Sequence, residues 1–137
     1  METTLDQPRT SKAVTIIGWI LALPPVGLML MSAYFKLARV PMAVEGFQKA
    51  GYADRAILYI GIAEVACVLL YLVPQTAVLG AILMAGYLGG AACHHVRSQE
   101  AFIAPILLGV IAWLGLYLRD RRVRSLVPIR RSITPAT

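Results

Sequence analysis

Charged residues are scarce in this 137-residue chain, and the residues that usually bind metals are scarcer. Only 15% of the residues are charged, whereas soluble domains carry about 25%. The two histidines are adjacent in sequence, so they cannot flank one haem from opposite faces, and no His or Cys cluster completes a zinc set. No metal site is therefore expected.

The motifs of common catalytic centres are missing as well. Cys67 and Cys93 do not form a CxxC pair, and they fall roughly ten residues apart in depth on neighbouring predicted helices, which is too far for a disulfide. A phosphate-binding glycine loop, a Ser-His-Asp set and a paired-carboxylate site are also absent. The chain is expected to be no enzyme by itself, and at most a subunit of a membrane oxidoreductase complex.

Long apolar runs are what the chain has instead. Hydrophobic residues make up 58% of it, and the mean hydropathy is +0.70. Four charge-poor stretches stand out, at 13–35, 56–73, 76–93 and 101–118. Because a hydrocarbon core about 30 Å thick needs roughly 20 apolar helical residues, they predict an all-α membrane protein with four transmembrane helices. A soluble bundle is disfavoured, since surface helices of soluble proteins have a polar face.

The connections between these spans predict a compact antiparallel four-helix bundle. The turn PQT is short enough to make the second and third spans neighbours. The segment PMAVEGFQKAG, between the first and second spans, fits either a short interfacial helix or a plain loop. We expect residues 1–12 to form an N-terminal tail, 13–118 the transmembrane domain, and 119–137 a basic C-terminal tail.

Basic residues are divided unequally between the two predicted sides of the membrane. Eight lie on the side of the termini and five on the other. Because cytoplasmic segments are enriched in Lys and Arg, both termini are predicted to be cytoplasmic. The run RDRRVR suits an anionic lipid leaflet. Nucleic-acid binding is not expected, because the basic cluster has no fold of its own.

One carboxylate, Glu64, lies in the middle of the second span and is the only charge in any of the four. The same depth is predicted for Pro24 and Pro25, which kink the first span by removing two backbone donors, and Tyr87 lies about one residue from it. With no basic residue expected there, the carboxyl should be neutral, and Gln in its place should preserve the fold. Two interpretations stay open: a plug for the free carbonyls of the kinked helix, or a ligand- or proton-binding site.

Small residues in the second and third spans predict close helix contacts. They are Gly61, Ala85, Gly86, Gly89 and Gly90. Small-xxx-small spacing, which the third span shows, lets helices approach closely. It fits packing inside the bundle, and it also fits a homo-oligomer formed through this face.

Basic and imidazole side chains gather at one predicted end of the bundle. His94, His95 and Arg97 end the third span, on the same side of the membrane as Lys36. Such a group is typical of a solvated helix end. The alternative is a site for an anion or a quinone head group at the mouth of the bundle.

The order of segments resembles the DoxX-like membrane proteins of bacteria over about residues 14–128. The segments are SAYFKL, GFQKAGY, GIAEVACVLLYLVPQTAVLGAILMAGYLGGAACHHVR and PILLGVIAWLGLYLRD. Gly61 and Glu64, the Pro turn, and the Gly/Ala-rich span ending in His and Arg are the most specific part. The resemblance implies a four-helix bundle in the bacterial inner membrane, and some relatives are linked to quinone-reducing thiosulfate oxidation or to membrane redox complexes.

Two main function hypotheses follow. The first, from the resemblance, is a redox-associated membrane subunit that has no redox centre of its own and offers a quinone- or partner-binding site near Glu64. The second is a small transporter that couples substrate to a proton on Glu64. Exporters of lipophilic cations usually surround their acid with aromatic residues, whereas small residues dominate here, so the first is favoured. A structural or assembly role is the remaining alternative.

Overall fold

The chain folds into α-helices joined by short connections, as a computed structural model of residues 11–127 describes. Within those residues there is no strand, so the all-α prediction is confirmed. The six helices are α1 (Lys12–Leu37), α2 (Pro41–Lys49), α3 (Ala56–Leu72), α4 (Ala77–Arg97), α5 (Ile103–Arg119) and α6 (Arg121–Leu126). The rest of the two predicted tails, residues 1–10 and 128–137, lies outside the described residues.

Local sequence signals account for several helix ends. The Ser11 hydroxyl caps α1 by accepting a hydrogen bond from the Ala13 N–H (3.3 Å). Pro41 opens α2, where its missing N–H costs nothing. Gly51 follows α2 with a φ of 78°, a left-handed conformation that glycine adopts without strain. Of the two structures open for this segment, helix or loop, the helix is therefore the one formed.

The four long helices contact one another in a cycle. α1 packs against α3 and α5, and α4 packs against the same two helices. The largest apolar side chains in the shared core include Met29, Tyr71, Met84 and Leu116. Val123 of α6 is buried with them. The segment predicted as a basic tail from residue 119 therefore begins with a packed helix, because its one buried valine anchors it to the core.

Glycines form the closest helix contacts. Gly18 and Gly80, which the sequence pattern did not single out, lie against neighbouring backbone, and Gly61, which it did, lies against α1. A methyl group added at Gly18 would lie 2.8 Å from the Gly115 carbonyl oxygen, so α1 and α5 touch backbone to backbone. One added at Gly80 would overlap the backbone of Tyr71, where the α3–α4 connection brings the two helices together. These positions admit no side chain, because a Cβ atom would occupy the neighbouring helix.

The paired prolines of α1 do not break it. Pro24 and Pro25 lie inside a single helix of 26 residues, so the helix continues past them, and the kink expected at this point stays a prediction. Ala22, Pro25 and Val26 are buried against neighbouring helices. Packing of this kind holds a segment helical even where prolines remove backbone hydrogen bonds.

The outer surface of the helices is apolar. Leu23, Leu69, Ile82 and Val110 are all more than half exposed, which a soluble monomer rarely shows over a continuous surface. By length and composition, α1 and α4 can each cross a membrane, while α3 and α5 are apolar helices of 17 residues. Such a surface is the kind that lipid covers.

Candidate functional site

A buried ion pair joins α1 and α3. The Lys36 Nζ atom lies 2.9 Å from Glu64 Oε2, and the two side chains are only 12% and 2% exposed. Lys36 also donates to the hydroxyl and the carbonyl oxygen of Ser32, one turn earlier on α1. The ammonium group is thus held between a serine of its own helix and a carboxylate of the next.

This ion pair overturns the expectation of a lone neutral carboxyl at the level of the prolines. α1 continues to Leu37, and Gly61, one turn before Glu64, packs against the stem of Lys36. The end of α1, rather than its middle, therefore faces Glu64. Pro25 lies eleven residues before Lys36, or about 16 Å along the helix axis. Lys36 was predicted as a site residue at the mouth of the bundle, but its pairing with Glu64 was not, because its four-carbon stem carries the charge inward from a position that looks like a helix end.

Tyr87 of α4 completes the surroundings of the pair. It is half-buried against the core, and its hydroxyl is close enough to the Glu64 carboxylate for an electrostatic interaction. Three of the predicted site residues, Lys36, Glu64 and Tyr87, are therefore brought together by three different helices. Gly61 makes this possible on α3, since a methyl group there would already lie 3.2 Å from the Lys36 Cβ atom.

The other predicted site residues belong to a second group, at the end of the molecule formed by α2 and the last turn of α4. The His94 ring lies beside the rings of Phe47 and Tyr52, with centroid separations of 5.9 and 5.5 Å. Arg97 lines an adjacent cavity of about 360 Å³. His95 Nδ1 lies 2.9 Å from a carboxylate oxygen of Glu100. The structure thus separates the histidines and Arg97 from the Lys36–Glu64 pair.

Ala85, Gly86, Gly89 and Gly90 do not pack inside the molecule, so the first of the two alternatives for this face is wrong, and the homo-oligomer alternative stays a prediction. All four are exposed, and a methyl group added at any of these three glycines would meet no atom within 4 Å. α4 turns Ala81, Met84 and Leu88 towards its neighbours instead. Sequence alone could not separate the two faces, because both are uncharged and the outer one is not polar.

Arg119 forms a cluster at the opposite end that the sequence did not reveal. Its guanidinium carbon lies 4.1 Å from the Trp19 ring centroid and 4.3 Å from that of Tyr71, and Nη2 donates to the Tyr71 carbonyl oxygen at 2.6 Å. The Tyr71 hydroxyl donates to the Ala112 carbonyl oxygen at 2.7 Å. Arg119 therefore ties α1, α3 and α5 together instead of starting a solvated tail. The available signal was its place directly after an apolar run that contains Trp and Tyr.

Chemically, the Lys36–Glu64 site offers a cation, an anion and a phenol hydroxyl in apolar surroundings. These groups can bind a ligand that accepts hydrogen bonds, or exchange a proton. In residues 11–127, no group of three or more His, Cys, Asp or Glu side chains is suited to a metal. Cys67 and Cys93 are free thiols, one buried and one exposed.

Charged side chains buried between helices whose outer surface is apolar are typical of a helical membrane protein. The chain belongs to the DoxX-like family, whose family model matches residues 20–115. This confirms the resemblance seen in the sequence, and the matched segment contains both the ion pair and Tyr87. Comparison with curated proteins and with solved structures gives no significant match.

Proposed function

We propose that this DoxX-like membrane protein is a non-catalytic subunit of a membrane redox system, and that the Lys36–Glu64 site binds the head group of a quinone. The observation that carries the proposal is the ion pair buried between two apolar helices. Ionisable groups inside a membrane are costly and are kept mainly where they bind or transfer something. A quinone is a lipid-soluble carrier whose carbonyl oxygens accept hydrogen bonds, and the Lys36 ammonium and the Tyr87 hydroxyl are donors.

The proposal places the site within a bilayer. We propose that α1, α3, α4 and α5 cross the bacterial inner membrane as an antiparallel bundle with both termini in the cytoplasm. The apolar outer surface and the excess of basic residues on the side of the termini support this arrangement. In this arrangement, a quinone that diffuses in the bilayer first contacts Lys36, because Lys36 is the more exposed member of the pair. A partner protein would supply the redox centre.

The test is mass spectrometry of the quinones that co-purify with the detergent-solubilised protein. We expect the wild type to retain quinone and the double variant Lys36→Met/Glu64→Gln to lose it, since the variant removes both charges together and leaves none unpaired. Arg97→Gln, in the separate cavity, is the matched control and should retain quinone. Equal retention in the wild type and the double variant, or none in the wild type, would refute the quinone site.

A proton-coupled transporter is the second candidate, and one observation favours it. Glu64 accepts the hydrogen bond that links α3 to α1, so a proton on this carboxyl would remove the attraction between the two helices. Proteoliposomes loaded with a pH-sensitive dye test this idea. An imposed pH gradient should decay with the wild type and persist with Lys36→Met/Glu64→Gln. That result would favour the transporter over the redox subunit.

A further inference from the structure

The cavity between α2 and the end of α4 has the composition of an anion site. It measures about 360 Å³, and its lining includes Lys49, Tyr52, His94, Arg97 and Glu100. That volume lies within the range of small-ligand sites. The cavity is separate from the Lys36–Glu64 pair, and the function proposed above does not use it.

Positive charge in this cavity is left uncompensated. The neighbouring cations Lys36 and Arg39 pair with Glu64 and Asp54. For Lys49 and Arg97, in contrast, residues 11–127 provide no ion-pair partner.

Glu100 is the only acidic group among the residues that line the cavity within the described chain, and it forms no ion pair with Lys49 or Arg97. Its Oε2 atom lies 2.9 Å from His95 Nδ1. The lining therefore carries two cations and one carboxylate, and that carboxylate is next to a histidine.

Contacts among three rings connect the walls of the cavity. His94 of α4 contacts both Phe47 of α2 and Tyr52 of the following loop, and the latter two rings are 5.1 Å apart. This aromatic group fixes α2, which carries Lys49, against the last turn of α4, which carries Arg97. A preorganised site loses less entropy when it binds its ligand than a flexible one does.

We propose that this cavity binds a phosphate group, with Arg97 and Lys49 as its cationic contacts. Arginine suits the planar, two-point recognition of phosphate oxygens, and lysine adds a point charge. The cavity lies at the end of an apolar helix and beside a short helix, where lipid head groups are found if the long helices cross a bilayer. The phosphate can therefore come from an anionic lipid or from free phosphate.

The experiment measures the binding of phosphatidylglycerol and phosphatidylcholine to the full-length protein in detergent by native mass spectrometry. Arg97→Gln and Lys49→Gln are the test variants. Arg55→Gln is the matched control, because it removes one exposed cation at the same end of the molecule but outside the cavity. Melting temperatures without added lipid establish that each variant is folded. A second arm titrates inorganic phosphate and follows the melting temperature.

We expect each test variant to weaken binding of phosphatidylglycerol by about tenfold, which corresponds to about 1.4 kcal/mol, while Arg55→Gln binds as the wild type does. A melting temperature raised by inorganic phosphate in the wild type but not in Arg97→Gln would assign the site to free phosphate. A response to phosphatidylglycerol alone would assign it to a lipid head group. If the test variants bind as well as Arg55→Gln in both arms, or if phosphatidylcholine matches phosphatidylglycerol and inorganic phosphate has no effect, the proposal is wrong.

Discussion

At the scale of single residues, the pairing of Lys36 with Glu64 changes what a substitution should do. A neutral, isolated carboxyl could be replaced by Gln with little effect. An ion pair 2.9 Å apart, with its members 12% and 2% exposed, cannot. Removing one partner leaves the other charge buried and uncompensated.

We therefore predict that Glu64→Gln and Lys36→Met each destabilise the fold by about 3–5 kcal/mol, whereas the double variant recovers most of the loss. The physical reason is that each single variant buries one charge without the attraction of its partner, whereas the double variant buries no charge at all. Denaturant titration in detergent measures all three free energies of unfolding.

The exposed pair of Arg39 and Asp54 provides the control for this cycle. Its side chains are 46% and 61% exposed, and Arg39→Met should cost at most about 1 kcal/mol. Single variants at Lys36 and Glu64 that are as stable as the wild type would show that the ion pair does not form in the membrane protein.

Arg119 yields a second prediction at this scale. Arg119→Lys keeps the charge but loses the planar group that stacks on Trp19 and Tyr71 and donates to the Tyr71 carbonyl oxygen. We predict a loss of about 1–3 kcal/mol in the free energy of unfolding. Thermal melting of Arg119→Lys beside Arg122→Lys, an exposed arginine in α6, checks it. Equal melting temperatures would mean that only the charge of Arg119 matters.

At the scale of the helices, the sequence predicts the elements better than their contacts. The bilayer demands long apolar runs, so four charge-poor stretches mark α1, α3, α4 and α5 to within a few residues at most ends. Packing faces carry no comparable signal, because a side chain that faces lipid is as apolar as one that faces the core. The small residues of α4 therefore left two alternatives open, an internal contact and a homo-oligomer, and in the structure they lie on the outer surface.

The candidate site was predictable in its members but not in its pairing. Glu64 stands out as a charge within an apolar run, and Tyr87 follows from the depth at which the tight turn places it. Lys36 and Glu64 are 28 residues apart in sequence, and only the relative shift of α1 against α3 brings them together. That shift depends on how far α1 continues beyond its apolar run, which hydropathy does not determine.

Two glycines of α4 test the packing directly. A methyl group at Gly80 would overlap the Tyr71 backbone, whereas one at Gly86 meets open space. We predict that Gly80→Ala costs about 1–3 kcal/mol, as overpacking usually does, and that Gly86→Ala does not lower the melting temperature. Both variants add the same methyl group to the same helix. A melting temperature lowered equally by both would show that the outer face of α4 is covered, for instance by a second copy of the chain.

At the scale of the whole molecule, the number of helices that cross the membrane decides where each connection lies. By length and composition α1 and α4 can each span a bilayer, and α3 and α5 are shorter. Four spans place the α3–α4 connection and α6 in the cytoplasm and the α4–α5 connection on the other side. If only α1 and α4 crossed, the α3–α4 connection would lie outside, and the α4–α5 connection would share the side of α6.

Single-cysteine variants distinguish the two arrangements. The cysteine replaces Gln75, Ser98 or Ser125, which are exposed and lie one in each of these segments. The background is Cys93→Ala, in which the remaining native thiol, Cys67, is buried. With four spans and cytoplasmic termini, a membrane-impermeant maleimide should label only Ser98→Cys in intact spheroplasts, and Gln75→Cys and Ser125→Cys only after permeabilisation. Labelling of Gln75→Cys alone would indicate two spans. The reverse of the expected pattern would keep four spans but invert the orientation, and the phosphate cavity beside Arg97 would then face the cytoplasm.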